Sequence, residues 1–174
     1  TGNNAANPHG IPGTNLIENN ALLLFDLGVE TLGYTSDMTR TVAVGQPDQF
    51  KKDIYEIGLL RAALEILADT ACRRRVAVLG DMGELGDLTD QAHFNAGALA
   101  AMLGIDFVIA IGSKAARIAD GAAMSGGDVV HFATKEEALP TVREQLRPNT
   151  SMLIKASHSM HFERLTEDLR KYYD

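Results

Sequence analysis

Two aspartates sit among apolar and β-branched residues in the first third of the chain. Asp26 follows Leu22-Leu23-Leu24-Phe25, and Asp37 precedes Met38-Thr39-Arg40-Thr41-Val42. A carboxylate surrounded by that much apolar surface is tolerated when it is paired or metal-bound. If the chain reverses near Gly33, both carboxylates can approach on one face of a hairpin, and oxygen donors so placed suit a divalent metal pair. Capping of a turn, or pairing with Arg40, would satisfy either group equally well.

A second constellation is Gly80-Asp81-Met82-Gly83-Glu84-Leu85-Gly86, which directly follows the apolar run Val76-Ala77-Val78-Leu79. A loop at the carboxyl end of a parallel strand is where open α/β sheets bind ligands. Its glycines recur at every third residue, unlike the dinucleotide fingerprint, so a tight turn and a ligand loop both remain open. Gly112-Ser113-Lys114 lacks the upstream glycine of a phosphate-cradling loop, and the following residue is alanine where a metal-binding hydroxyl would stand. His93, His131, His158 and His161 show no metal-site spacing and read as surface histidines at helix or strand ends. Cys72 has three arginines after it but no adjacent base, and reads as a small residue near a helix end.

The elements that must position these groups follow from periodicity. Residues 1–20 are rich in Asn, Gly and Pro and read as extended or looping chain. Residues 21–29 and 33–44 have the pattern of two antiparallel strands joined by a short turn. Gly45-Gln46-Pro47-Asp48 then stops the second strand and caps a helix to about Asp69, whose Phe50, Ile54, Ile57, Leu60, Leu64 and Leu67 share one face. Gly58 in its middle is a local inconsistency, costing about 1 kcal/mol relative to alanine.

Beyond the arginines the rhythm is strand then helix, repeated: 76–79 and 89–103, 107–111 and 113–124, 129–132 and 135–146, 152–154 and 162–172. Such alternation predicts an α/β, Rossmann-like, mainly parallel sheet with helices on both faces, preceded by the antiparallel hairpin and its helix. Thr89, Ser113 and Thr134 stand where helix N-caps are expected.

A net charge of -7 argues against a nucleic-acid surface, which needs clustered Lys and Arg. No apolar stretch approaches the about 20 residues of a membrane span, and no charged-then-apolar signal opens the chain, which begins abruptly at Thr1-Gly2-Asn3-Asn4. A single cysteine forms no internal disulfide, so the cytoplasm is the expected setting. The exposed edges of the hairpin are open to pairing with a second copy, so the sequence is compatible with a homodimer as well as a monomer.

Asn7-Pro8-His9-Gly10, Leu24-Phe25-Asp26-Leu27-Gly28 and Gly33-Tyr34-Thr35-Ser36-Asp37-Met38-Thr39-Arg40-Thr41-Val42 occur in the order found in the Xaa-Pro dipeptidases. Over about residues 1–57 the chain resembles that prolidase branch of the pita-bread metallopeptidases. The resemblance implies that Asp26 and Asp37 are ligands to divalent ions, usually manganese, cobalt or zinc, and that His9 helps bind substrate. The family's remaining ligands, a histidine and two glutamates, have no matching motifs here. Two carboxylates alone should hold metal weakly and support no hydrolysis, and no cofactor is expected to be required.

From about Leu60 onward the resemblance changes. Arg75 to Gly86, His93, Gly104-Ile105-Asp106, Ile111-Gly112, His131-Phe132 and Lys155-Ala156-Ser157-His158-Ser159-Met160 are similar to the C-terminal domain of the Mur ligases that join D-alanyl-D-alanine to UDP-N-acetylmuramoyl-tripeptide. That likeness implies a Rossmann-like domain that closes over ATP and substrate held elsewhere, with Asp81, Glu84, His93, Lys155 and Ser157 turned toward the reaction centre. The family's usual Gly and Arg are replaced by Ala156 and His158. No ATP-holding domain accompanies the match, so ATP and UDP-muramoyl peptide are not expected to be bound. The two resemblances meet within about residues 55–61, giving expected parts 1–58 and 59–174, a combination that reads as an engineered or recombinant chimera, inert in both parent reactions; the alternatives are a ligand-binding domain of the Mur ligase type and a residual metal-dependent Xaa-Pro dipeptidase.

Overall fold

The structure is a computed structural model, and it describes residues 13–83 and 85–173. The chain divides into two compact units, Thr1–Ile54 and Tyr55–Asp174.

In the first unit, β1 (Ala21–Thr31) pairs antiparallel with β2 (Tyr34–Val44), in register from Ala21 opposite Val44 to Thr31 opposite Tyr34. The first strand runs two residues further toward the turn than the sequence pattern indicates, and the second begins one residue later. The reason lies in the turn: Leu32 and Gly33 alone close the hairpin, with φ of 52° and 81°. Positive φ at both central positions matches the right-handed twist of the strands, although Leu32 carries a side chain in a region that favours glycine or asparagine. Alternation sends Phe25, Leu27, Met38 and Val42 to one face and Asp26, Gly28, Asp37 and Thr39 to the other.

Asp48 caps the helix that follows, its Oδ1 accepting from the Lys51 N–H at 2.9 Å. This helix, α1 (Gln49–Asp69), contains the boundary between the units. Its apolar stripe is not buried along its whole length as the spacing suggested. Leu60, Leu64 and Leu67 are buried, whereas Phe50 and Ile54 are exposed. Periodicity reports a face, but burial depends on whether a partner lies against it.

In the second unit, β3 (Arg74–Gly80), β4 (Phe107–Ile111), β5 (Val129–Phe132) and β6 (Thr150–Lys155) form a parallel sheet in the order β5-β4-β3-β6. Between them run α2 (Thr89–Met102), α3 (Ala116–Met124) and α4 (Lys135–Gln145), and α5 (Phe162–Tyr173) follows β6. Strand alternation creates two cores. Ala77, Leu79, Val108 and Ala110 pack with Leu60, Leu64 and Ile118, while Val76, Val78, Ile109 and Ile111 pack with Val142, Phe162 and Leu165. Helices therefore cover both sheet faces, the architecture that the repeated strand-helix rhythm predicts.

Two of the expected caps are absent. Thr89 is the first residue of α2 and its hydroxyl donates to the Gly86 carbonyl at 2.7 Å, while Ser113 lies before an Ala115 cap position that has no capping side chain of its own. Thr134 does cap α4, accepting from the Glu137 N–H at 3.3 Å. Among the described residues no helix is long and apolar enough to cross a membrane.

Candidate functional site

The sheet order fixes where a ligand can enter. From β3 the chain steps outward to β4 and β5, then returns to place β6 on the other side of β3. The order thus reverses between β3 and β6, and crevices at such reversal points, at the carboxyl ends of the strands, are the usual binding places in open α/β sheets. A cavity of about 620 Å³ opens there, lined by Leu79 and Gly80 at the end of β3 and by Ile154 and Lys155 at the end of β6.

Two loops form its walls and are tied together. The Asp81 carbonyl accepts from the Ser157 N–H at 3.0 Å, and the Asp81 N–H donates to Met160 Sδ at 2.9 Å. Gly80 is required by this approach: a Cβ there would lie 2.6 Å from Ala156 Cβ and 2.7 Å from both Met160 and Phe162. Its neighbour Gly83 faces Ser157.

Of the residues singled out on this loop pair, Lys155 and Ser157 do line the cavity. Lys155 Nζ lies 3.7 Å from a carboxylate oxygen of Glu56, with both side chains partly exposed. Ser157 Oγ shares a 2.7 Å hydrogen bond with Ser159 Oγ. Glu56, Ser159 and Glu163 also line the cavity and were not anticipated. Glu56 lies one helical turn before the buried Leu60, and nothing in its local sequence marks it.

Asp81 and His93 lie behind the wall. The Asp81 carboxylate accepts from the Ala115 N–H at 2.7 Å, so it supplies the cap that α3 lacks, and it packs against Gly112, whose φ is 120°. His93 is fully buried, not a surface histidine. Its Nε2 accepts from the Met82 N–H at 2.9 Å and its Nδ1 bonds the Thr89 carbonyl at 2.6 Å. Because Met82 donates, Nε2 carries the lone pair and Nδ1 the proton. Burial holds this imidazole below its ordinary value, against the opposing effect of the Thr89 bond. His9 and Glu84 lie outside the described residues.

On the hairpin, Asp26 stands opposite Thr39 and Asp37 opposite Gly28, which places the two carboxylates diagonally on one face. Asp26 is exposed and accepts from Thr39 Oγ1 at 3.2 Å, so its partner is neither a turn nor Arg40, whose guanidinium donates to the Thr39 carbonyl. Among the described residues no group of three His, Cys, Asp or Glu is assembled to hold a metal ion. Asp26 and Asp37 therefore do not by themselves fit the demands of a metallohydrolase centre, which needs several protein ligands and an open position for water.

Comparison with known proteins gives each part a family. Residues 1–97 match metallopeptidase family M24, and residues 58–158 match the Mur ligase, glutamate ligase domain. The chain belongs to both families. The M24 part is 47% identical over 70 residues to an Xaa-Pro dipeptidase of Lactobacillus delbrueckii subsp. lactis, covering 40% of this chain and 18% of that protein. It is 52% identical over 56 residues to the Xaa-Pro dipeptidase of Lactobacillus helveticus, covering 32% of this chain and 15% of that one.

The Mur ligase part is similar to MurF from Acinetobacter baumannii, with 34% identity and a TM-score of 0.60, covering 66% of this chain and 26% of the MurF chain. Likeness to MurF ligase from Thermotoga maritima, solved in complex with ADP, is 20% identical with a TM-score of 0.55, and shows the fold alone. The chain thus spans less than a fifth of the dipeptidase, at 18%, and about a quarter of the ligase, at 26%. Within the M24 match lies the hairpin with Asp26 and Asp37, and within the Mur ligase match lie Lys155 and Ser157 of the cavity wall.

Proposed function

We propose that this chain is a recombinant of an M24 segment and a Mur ligase domain that turns over neither parent substrate and retains one ligand-binding cavity. The observation that carries this reading is the cavity at the reversal point of the parallel sheet, with the Lys155 ammonium and the Ser157 and Ser159 hydroxyls at its wall. The weakness of the Lys155 pairing matters most. At 3.7 Å and partly exposed, the Glu56 carboxylate is a replaceable counter-ion, so an anionic ligand group can take its place on Lys155 at little cost. The ligand class that suits this wall is the anionic part of a nucleotide or of a muramoyl peptide, the parent ligands that the Mur ligase resemblance implies. That neither substrate is turned over is proposed from the sequence, in which no motifs for the histidine and two glutamates of the M24 ligand set accompany Asp26 and Asp37. A cytoplasmic setting, in which Cys72 stays reduced, suits the reading.

Calorimetry with ADP and, separately, UDP-N-acetylmuramoyl-tripeptide tests it. Saturable heat is expected with one of them, and Lys155→Ala should weaken that binding about tenfold, the worth of one charge-assisted hydrogen bond. No heat with either ligand removes the binding function. Cleavage of an Xaa-Pro dipeptide above background in manganese would refute the inertness.

A further inference from the structure

We propose that His93 is an acid-sensitive latch on the cavity wall: adding a proton to Nε2 releases Met82 and loosens the loop that faces Ser157. The latch is a property of the Mur ligase domain alone, and only its effect on ligand binding rests on the function proposed above.

The geometry permits one protonation state. Nε2 accepts from the Met82 N–H at 2.9 Å while Nδ1 donates to the Thr89 carbonyl at 2.6 Å. An imidazolium carries protons on both nitrogens, so Nε2–H and Met82 N–H would confront each other as two donors with no acceptor between them. His93 is 0% exposed, and the new charge cannot reach water unless something moves. Asp81 from the loop after β3 and Asp90 from α2 favour the cation, whereas Lys114 from the loop after β4 opposes it.

Met82 and Gly83 are the residues that loss of this bond touches first, the Met82 side chain being itself buried. On the loop's upstream side Asp81 is tied to Ser157, Met160 and Ala115, and on its downstream side Leu85 is buried and its carbonyl accepts from the Leu88 N–H at 2.9 Å. Between these anchors Met82 and Gly83 line the cavity, and Gly83 has the backbone freedom to move. Loss of the His93 bond therefore displaces wall residues without disturbing the strands.

Nitrogen NMR on the full chain, from about pH 7.5 to about 4.5, is the test. His93 should be the Nδ1–H form at neutral pH and titrate below 6.5, with the Met82 and Gly83 amide signals moving at the same midpoint and the Val108 amide of β4 still. In His93→Gln, whose carboxamide oxygen can accept but does not titrate, the Met82 and Gly83 signals should hold steady. Titration of His93 without movement of Met82 and Gly83, a His93 that stays neutral throughout, or an unchanged midpoint in His93→Gln would each overturn the latch. If the glutamine variant does not fold, the wild-type midpoints decide alone. Affinity for whichever of ADP or UDP-N-acetylmuramoyl-tripeptide binds should fall about tenfold across the same range. Absence of binding at any pH would count against the cavity's function, while the NMR midpoints would still judge the latch.

Discussion

Gly97→Ala should destabilise the protein, although local reasoning predicts the opposite. Gly97 lies within α2, and alanine in a helix interior is favoured over glycine by about 1 kcal/mol. The crossing of α2 with α3 reverses the sign. A Cβ on Gly97 would overlap the carbonyl oxygen of Ile118 and stand 2.8 Å from both Ala122 N and Ile118 C, closer than the 3.0 Å that real Cβ atoms keep. These are backbone atoms, so no rotamer change can relieve the contact. Gly121 of α3 is in the same position, with a Cβ 2.9 Å from Phe94 C. Moving the helices apart would open the core formed by Ala96, Ala100, Ile118 and Ala122. Overpacking of this kind costs about 3 kcal/mol at its upper range. Subtracting the helix-propensity gain leaves a net loss of about 2 kcal/mol. Gly58→Ala is the matched control, since nothing lies within 4 Å of its Cβ position, and it should gain about 1 kcal/mol. Urea denaturation of both variants measures the two signs. A Gly97→Ala protein as stable as the parent would refute the close-crossing argument.

Stability should fall with acid because of His93. Its folded-state value lies below the 6.5 of an ordinary histidine, so the unfolded chain binds the proton first. The contribution is complete above 6.5 and is lost as pH falls through the window beneath it, with a slope of up to about 1.4 kcal/mol per pH unit, and a flat denaturation profile there would contradict the assignment. Asp81→Ala removes the carboxylate that caps α3 and should cost about 1 kcal/mol in thermal or urea unfolding. Leu32→Asn relieves a side chain held at φ 52° and should stabilise the hairpin by about 1 kcal/mol, read as slower amide exchange at Val29 and Ser36. Manganese should bind Asp26 and Asp37 no tighter than about millimolar, and calorimetry giving a micromolar constant would mean that further ligands exist.

The fold class was legible because burial on both faces of a parallel sheet leaves continuous apolar runs, such as Val76 to Leu79, between helical periods. The hairpin was legible from its alternation, but its turn is shorter than the pattern indicates, because leucine at a positive φ carries no signal of the tight turn it enters. The α1 stripe shows the opposite failure: six apolar residues share one face, but only the later ones found a partner surface.

By itself the sequence determined the order of strands and helices, the two family resemblances and the facing of Asp26 and Asp37, since each depends on neighbours a few residues apart or on alternation along a strand. Which loop residues face the cavity was decided only by the tertiary structure. Asp81 and Lys155 are both polar groups at strand ends, yet one carboxylate is consumed at the start of α3 and the other group opens to the crevice. Glu56 reaches that crevice from a helix that precedes β6 by about eighty residues of chain. The physical reason is that a hydrogen bond such as Met82 to His93, or an approach such as Gly97 to Ile118, is set by how packed elements come together in space, and no periodicity records that.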